Sequence, residues 1–391
     1  MTTAVIIIVS VLLFLSVVLI HEFGHFITAK LFGVKVNEFS IGMGPALFSK
    51  QGKETKYSIR LLPIGGYCAM EGEDEESDDA RAFCNIKPWK KFIVVSAGAI
   101  FNIILGLIFM FIVLAPGNSA DPNASENLVG TTEIWGYNVT DSAAEASGLL
   151  AGDKVLSVDG YKVLCSSDIY YGIAFANKTD MTFEVLRNGE KKNIDVHFST
   201  NQRMSPALLS GTDISASDKE LTDGTLRDGE SLIIDFVIVG KQKTLGKIIK
   251  STFTETVSMC RVVYVSFFKL ITGQFKMTDM SGPVGIVSYI GQAAEAGITE
   301  GADFWANVWS ALLNIFQIMA LITVNLGIFN LMPFPALDGG RLIFIIIEWI
   351  IGRPVNPKYE SLIHAIGLIL LFALMIFVTY NDIIKLIGCN G

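Results

Sequence analysis

Residues 4–29, AVIIIVSVLLFLSVVLIHEFGHFITA, decide how this chain is read. The run is apolar throughout, interrupted only by HEFGH at 21–25. It exceeds the ~20 residues that an α-helix needs to cross the hydrocarbon layer of a bilayer. It lacks the basic start and the small-residue cleavage site of a signal peptide, so a retained spanning helix is expected. Inside such a helix His21, Glu22 and His25 are costly unless they pair or bind. Histidines at i and i+4 leave one helix face and can hold one metal ion, and the glutamate beside them can take a proton from an attacking water. The pentapeptide alone is a weak signal, common by chance in soluble chains. Its place in an apolar run gives it weight.

Composition agrees with chain that lives in lipid. Of 391 residues 51% are hydrophobic and only 17% charged, against about 25% charged in soluble domains. Further apolar runs at 92–115, 305–331 and 361–380 each approach spanning length. The expectation is a polytopic α-helical membrane protein with four transmembrane helices. The run 342–350 is too short to span alone. A net charge of −8 argues against a nucleic-acid partner. Five widely spaced cysteines form neither a disulfide framework nor a thiolate zinc site.

Orientation follows from the basic residues. Lys87, Lys90 and Lys91 immediately precede the second run, and Arg341, Arg353 and Lys358 lie between the third and fourth. The positive-inside rule therefore places both connections in the cytoplasm, with both termini and the 116–304 segment outside. The acidic stretch from Glu71 to Asp79 reads as a solvated face.

A third metal ligand is sought at matching depth. The first helix reaches His21 after roughly 17 residues, about 26 Å from the outer side. The third run arrives from outside and ends near Leu331, so NLMPFPALDGGR at 330–341 brings Asp338 to the same level. Pro333 and Pro335 break the helix there, which is tolerable only in a protein-lined or wet cavity. Two histidines and Asp338 complete a Zn2+ site with one open position. His197 lies in the extramembrane segment, and His364 starts the fourth run without a partner motif. Asn102, four residues after Gly98, and Asn325 and Asn330 in the third run are candidates for holding substrate, with helix packing the alternative. YSIRLLPIGGYCAM at 57–70 suggests a hairpin dipping toward the site, with Gly65 and Gly66 beside an unwound substrate strand.

Between the second and third runs, turn signals at 151–153, 158–160 and 187–189 separate short strand-like runs such as 154–158 and 181–186. A compact β-rich module over about 127–200 is expected, with strand-like chain through 233–239 and an amphipathic helix over 246–275.

HEFGH, NLMPFPALDGGR and the Gly98–Asn102 pair together resemble the site-2 protease family of intramembrane zinc metalloproteases, particularly the branch of the bacterial regulator-of-sigma-E protease. The likeness implies His21, His25 and Asp338 as Zn2+ ligands and Glu22 as catalytic carboxylate. It also covers 57–70, similar to the family's membrane-associated β-hairpin, and SGPVGI at 281–286. The module with SGLLAGDKVLSVDG is similar to a PDZ domain. The implied organisation is transmembrane helix 1 at 1–30, a reentrant hairpin region at 31–91, helix 2 at 92–115 and a linker at 116–126. An inserted extracytoplasmic PDZ-like domain follows at 127–200, then β-like and amphipathic chain at 201–304, helix 3 with the Asp motif at 305–345, and helix 4 with the tail at 346–391. The implied partners are the lipid bilayer, single-span membrane substrates such as anti-sigma factors or remnant signal peptides, and an upstream site-1 protease that trims them. A transporter, or a non-catalytic membrane scaffold presenting the module, would also place polar groups in spans. Neither explains HExxH and a distant Asp338 at one depth.

Overall fold

The computed structural model describes residues 2–73, 75, 77–115, 128–138, 142–198, 200–201, 231–232, 234–274, 285, 289–292, 297, 304–353, 355 and 357–388. The linker 116–127 and most of 202–230 and 275–303 lie outside these, and so does SGPVGI at 281–286 apart from Gly285. The chain divides into two units, Met1–Val113 with Met259–Gly391, and Leu114–Ser258.

The first unit is helical. The four apolar runs become α1 (Thr2–Leu31), α2 (Pro88–Leu114), a long helix at Phe304–Leu331 and another at Pro357–Gly388. The second run starts earlier than its apolar residues because Pro88, with φ fixed and no N–H to satisfy, suits a first helical position. Among the described residues, α2, Phe304–Leu331 and Lys358–Ile384 are long and apolar enough to cross a membrane; α1 adds a helix of 30 residues. The last helix exposes Leu362, Ile366, Ile369, Leu370, Phe372, Ile376 and Phe377. A row of that kind is stable in lipid and a liability in water.

Between α1 and α2 stand two long strands, β1 (Val36–Gln51) and β2 (Lys56–Met70), paired antiparallel. The chain reverses between Gln51 and Lys56, and the register shows two further reversals. Residues 38–41 run in the same sense as 56–59 but 36–41 run opposite to 66–70, so the chain also turns back at 42–45 and, within the hairpin expected at 57–70, at 60–65. Gly65, with φ +81°, stands at the last of these reversals, where a left-handed backbone suits glycine. The reversals let 36–41 register both with 66–70 and with 56–59, while 46–51 registers with 56–60. Met43, Leu47, Phe48, Ile59, Leu61 and Leu62 are exposed on this sheet, an apolar surface suited to lipid. Its far end is tied down by Glu54, which accepts from Lys30 at the end of α1 and from Arg81 Nη1 at 2.6 Å. The Lys30 ammonium first, and then the Arg81 guanidinium, hold the Glu54 carboxyl at about 2.

The second unit is built on a six-stranded sheet. Its strands are β3 (Leu128–Tyr137), β4 (Lys154–Val158), β5 (Tyr161–Lys162), β6 (Asp180–Arg187), β7 (Glu190–His197) and, beyond the short pair β8 (Thr200–Asn201) and β9 (Ser231–Leu232), β10 (Phe236–Gln242). The order is β10-β3-β4-β6-β7, with β5 on β4. The strands expected at 154–158 and 181–186 are β4 and β6. Short α3 (Ala143–Ala146) and α4 (Ser166–Ala176) accompany a core of Ile134, Leu149, Val155, Val158, Ile169, Met181, Phe183, Phe198 and Phe236. Buried Asp153 is neutralised by Arg187, whose Nε and Nη2 each lie 2.7 Å from a carboxylate oxygen. Next comes α5 (Leu245–Ile271), the expected amphipathic helix, with Lys247, Lys250, Arg261 and Lys269 set among apolar residues. The boundary between the two units falls within it, at Ser258. The remaining helices are α6 (Phe304–Leu331), α7 (Asp338–Ile351) and α8 (Pro357–Gly388).

One buried ion pair joins α2 to α7. Lys91 Nζ donates to Glu348 Oε1 and Oε2 at 2.8 and 3.0 Å, and Lys91 is 5% exposed. Removing one partner strands the other charge. Lys91→Met is expected to destabilise the protein by about 3–5 kcal/mol in thermal or denaturant unfolding in detergent, and adding Glu348→Leu should recover most of the loss. A single variant no less stable than the double would contradict the pairing.

Candidate metal centre

His21 and His25 lie one turn apart on α1, their rings 4.9 Å apart and nearly perpendicular. The chain leaves α6 at Leu331, passes through Pro333 and Pro335, and enters α7 with Asp338 in its first turn. A carboxylate is favoured there by the unpaired N–H groups and the dipole of the helix start. The intervening turn is stiff: Ala336 adopts φ +76° and donates its N–H to His364 Nδ1 at 3.0 Å. His364 thus braces the proline turn from α8, and His197 sits on β7 against Asp180 at 2.7 Å. Among the described residues, the group that can hold a metal is His21, His25 and Asp338.

Three donor atoms converge. His21 Nε2 is 3.3 Å from Asp338 Oδ2, His25 Nε2 is 3.4 Å from the same oxygen, and the two Nε2 atoms are 3.3 Å apart. Tetrahedral zinc with bonds of about 2.0–2.2 Å requires ligand separations of about 3.3–3.6 Å. The triangle has the size of one face of that tetrahedron. A second observation agrees: Asp338 Oδ2 is buried and has no hydrogen-bond partner among the described residues. Such an oxygen is costly unless a cation meets it. His25 Nδ1 lies 2.9 Å from the Val94 carbonyl. That oxygen only accepts, so Nδ1 carries the hydrogen and Nε2 presents its lone pair to the cluster. The residues fit zinc.

Close approach of α1 and α2 makes the arrangement possible. A Cβ at Gly98 would run into His25 Nε2 and lie 2.8 Å from His21 Cε1. The imidazoles therefore lie across bare α2 backbone. Gly66 serves the neighbouring glutamate in the same way, since a Cβ there would come 3.2 Å from Glu22 Cγ.

A cavity of about 280 Å³ opens on these groups, lined by His21, Glu22, His25 and Asp338 together with Tyr67, Cys68 and Met70 of β2. Glu73 and Arg341, an ion pair, also line it. The sequence reading missed the last five; their only local signal is closeness in sequence to Gly65–Gly66 and to Asp338. Asn325 and Asn330 on α6 do not line this cavity. Asn102 does not line it either: it is 0% exposed, with Nδ2 3.4 Å from His21 Nδ1.

Residues 9–374 match the family described as peptidase family M50. The chain is similar along nearly its full length to a Clostridium perfringens protein provisionally named a zinc metalloprotease, with 36% identity over 379 residues, covering 97% of this chain and 98% of that one. A Fusobacterium nucleatum protein of like name is 31% identical over 389 residues, covering 97% and 98%. The zinc metalloprotease RasP of Geobacillus kaustophilus is 29% identical over 455 residues, covering 96% and 97%. Spanning-length helices, an HExxH cluster closed by a distant aspartate, and these relatives agree: the chain belongs to peptidase family M50 and is a zinc metalloprotease of the site-2 protease type, in the branch of the regulator-of-sigma-E and RasP-like proteases.

Proposed function

We propose that the protein is a multi-pass protease of the bacterial cytoplasmic membrane that hydrolyses a peptide bond within or near the transmembrane segment of single-span proteins. The observation that carries this reading is the donor triangle formed by α1 and the start of α7, with Glu22 beside it in one cavity and helices of spanning length in the same unit. His21, His25 and Asp338 hold the ion. Zinc bound there supplies Lewis acidity, lowering the pKa of a water and polarising a carbonyl. Glu22 accepts the proton of the attacking water and passes it to the departing amine. Four spans, α1, α2, α6 and α8, enclose the site. The lysines before α2 favour a cytoplasm-facing active site, with both termini and the β-rich unit outside.

Substrate enters as an extended strand, because a helix in lipid has its own hydrogen bonds satisfied and shields its peptide bonds. Residues 66–70 pair with 36–41 on one edge only among the described strands, and Tyr67–Met70 border the cavity. Strand addition at the other edge, with Gly65 and Gly66 giving the clearance, would hold the unwound peptide beside Glu22.

The β-rich unit is read as one PDZ-like domain. PDZ domains take a peptide terminus by adding a strand to a sheet edge. Here β3 is paired on both sides, by β4 and by β10. On this reading the unit acts by excluding bulky ectodomains, and an upstream protease trims the substrate first. Anti-sigma factors and remnant signal peptides are the substrate types that suit this order.

The test uses purified full-length enzyme and one single-span substrate in two forms, with a short stub or with a folded ectodomain. The stub should be cleaved at least about tenfold faster, and this difference should be absent from the Glu22→Gln background because neither form is cut. Equal rates for both forms would refute exclusion; no cleavage of either would refute the substrate class.

A further inference from the structure

Among the polar groups buried near the metal centre, Asn102 has no place in the chemistry described above. It is 0% exposed, so it offers nothing to a substrate in the cavity. Its backbone oxygen accepts from Thr323 Oγ1 at 3.2 Å, and a Cβ at Gly327 of α6 would lie 3.5 Å from its own Cβ. These contacts from α6 fix the backbone and Cβ of Asn102, and its amide lies beside His21.

The protonation of His21 fixes what that side chain must do. His21 Nε2 faces His25 Nε2 and Asp338 Oδ2 at 3.3 Å each. To bind a cation there, Nε2 must present a lone pair, and a neutral imidazole then carries its hydrogen on Nδ1. The neighbour 3.4 Å from Nδ1 is the Asn102 amide, placed with Nδ2 toward the ring. In that sense two donors would face each other. At the same time Asn102 Oδ1 is buried with no hydrogen-bond partner among the described residues. The nitrogen and oxygen of an amide have the same shape and are assigned by their hydrogen bonds. Exchanging them gives Oδ1 the Nδ1–H of His21 and leaves Nε2 bare.

We infer that Asn102 is a positioning residue for His21: its Oδ1 accepts the Nδ1–H, fixing the tautomer and ring orientation in which His21 can ligate zinc. The inference rests on His21 being a zinc ligand. It gives the two histidines matched supports from α2, the Val94 carbonyl for His25 and the Asn102 amide oxygen for His21. It also replaces a substrate-holding role for Asn102 with one directed at the metal.

The experiment measures zinc affinity by competition with a chromophoric chelator, on full-length protein in detergent, for wild type, Asn102→Leu and Asn102→Asp. Leucine fills the space without an acceptor. A carboxylate can only accept. Asn102→Leu should bind zinc about 10–100-fold more weakly, as for other lost partners of metal-bound histidines, with the unfolding temperature of the metal-free protein unchanged. Asn102→Asp should hold zinc at least as tightly as wild type. Wild-type affinity in Asn102→Leu would overturn the inference, and so would a loss in Asn102→Asp, which would mark the amide as a donor. Because the aspartate is nearly isosteric, its comparison with wild type decides the matter even if the leucine variant does not fold. If wild type itself holds no zinc, the ligand role of His21 fails and the inference falls with it, whereas zinc held equally by wild type and Asn102→Leu overturns the inference alone.

Discussion

Glu22→Gln should retain wild-type zinc and lose about 10²–10⁴-fold in cleavage rate, the range that a general acid–base residue supplies. Glu22 borders the same cavity as the donor triangle but is not one of its corners. Glutamine keeps the size and much of the polarity of the side chain, so the metal should be indifferent to the change. It cannot accept the proton of an attacking water at neutral pH, and it cannot return one to the leaving amine. The two readouts are zinc per chain and initial rate on a stub substrate. Loss of zinc would mean that Glu22 has a ligand's role. Unchanged cleavage would mean that the proton goes elsewhere.

Gly98→Ala should disrupt the metal centre directly. The added carbon would strike His25 Nε2 and sit 2.8 Å from His21 Cε1. The clash cannot be relieved by parting the helices cheaply, because Gly24 of α1 is packed on the same stretch: a Cβ there would lie 2.6 Å from the Ala97 oxygen. Zinc should fall to background, cleavage with it, and stability by about 1–3 kcal/mol, the usual cost of overpacking. Gly106→Ala is the control. It overpacks the α2–α6 contact, where a Cβ would be 3.1 Å from Thr323 Cγ2, so it should cost stability and leave the metal in place. Equal zinc in Gly98→Ala and wild type would show that the imidazoles do not depend on this crossing.

Local pattern carries some of this structure and not the rest. The four long helices are legible because lipid imposes a length and a composition on each one separately. His21, Glu22 and His25 are legible because i, i+4 spacing places them on one face. Asp338 needed only an argument about depth, and its carboxylate meets the two imidazoles. The supports of these groups are different in kind. Val94 contributes a backbone carbonyl, which any residue could supply. Asn102 shows an amide whose sense depends on a histidine 81 positions away. The Lys91–Glu348 pair joins residues 257 apart, and Lys91 by itself reads as an ordinary cytoplasmic lysine. Gly65–Gly66 has the composition of a turn and stands where the chain turns back; what its composition does not show is that 36–41 lies between the two legs and that Gly66 lies against Glu22. Asn325 and Asn330 read as candidate substrate contacts by residue type alone, and neither is among the residues that line the cavity at the metal centre.

The most direct test of the central claim is to locate the cut. Purified enzyme and a stub single-span substrate are combined, and the products are identified by mass spectrometry with and without a zinc chelator. The account predicts cleavage at a bond within or bordering the substrate's apolar segment, lost on chelation and restored by added zinc. Cleavage only in the soluble part of the substrate, or cleavage that survives removal of the metal, would contradict it.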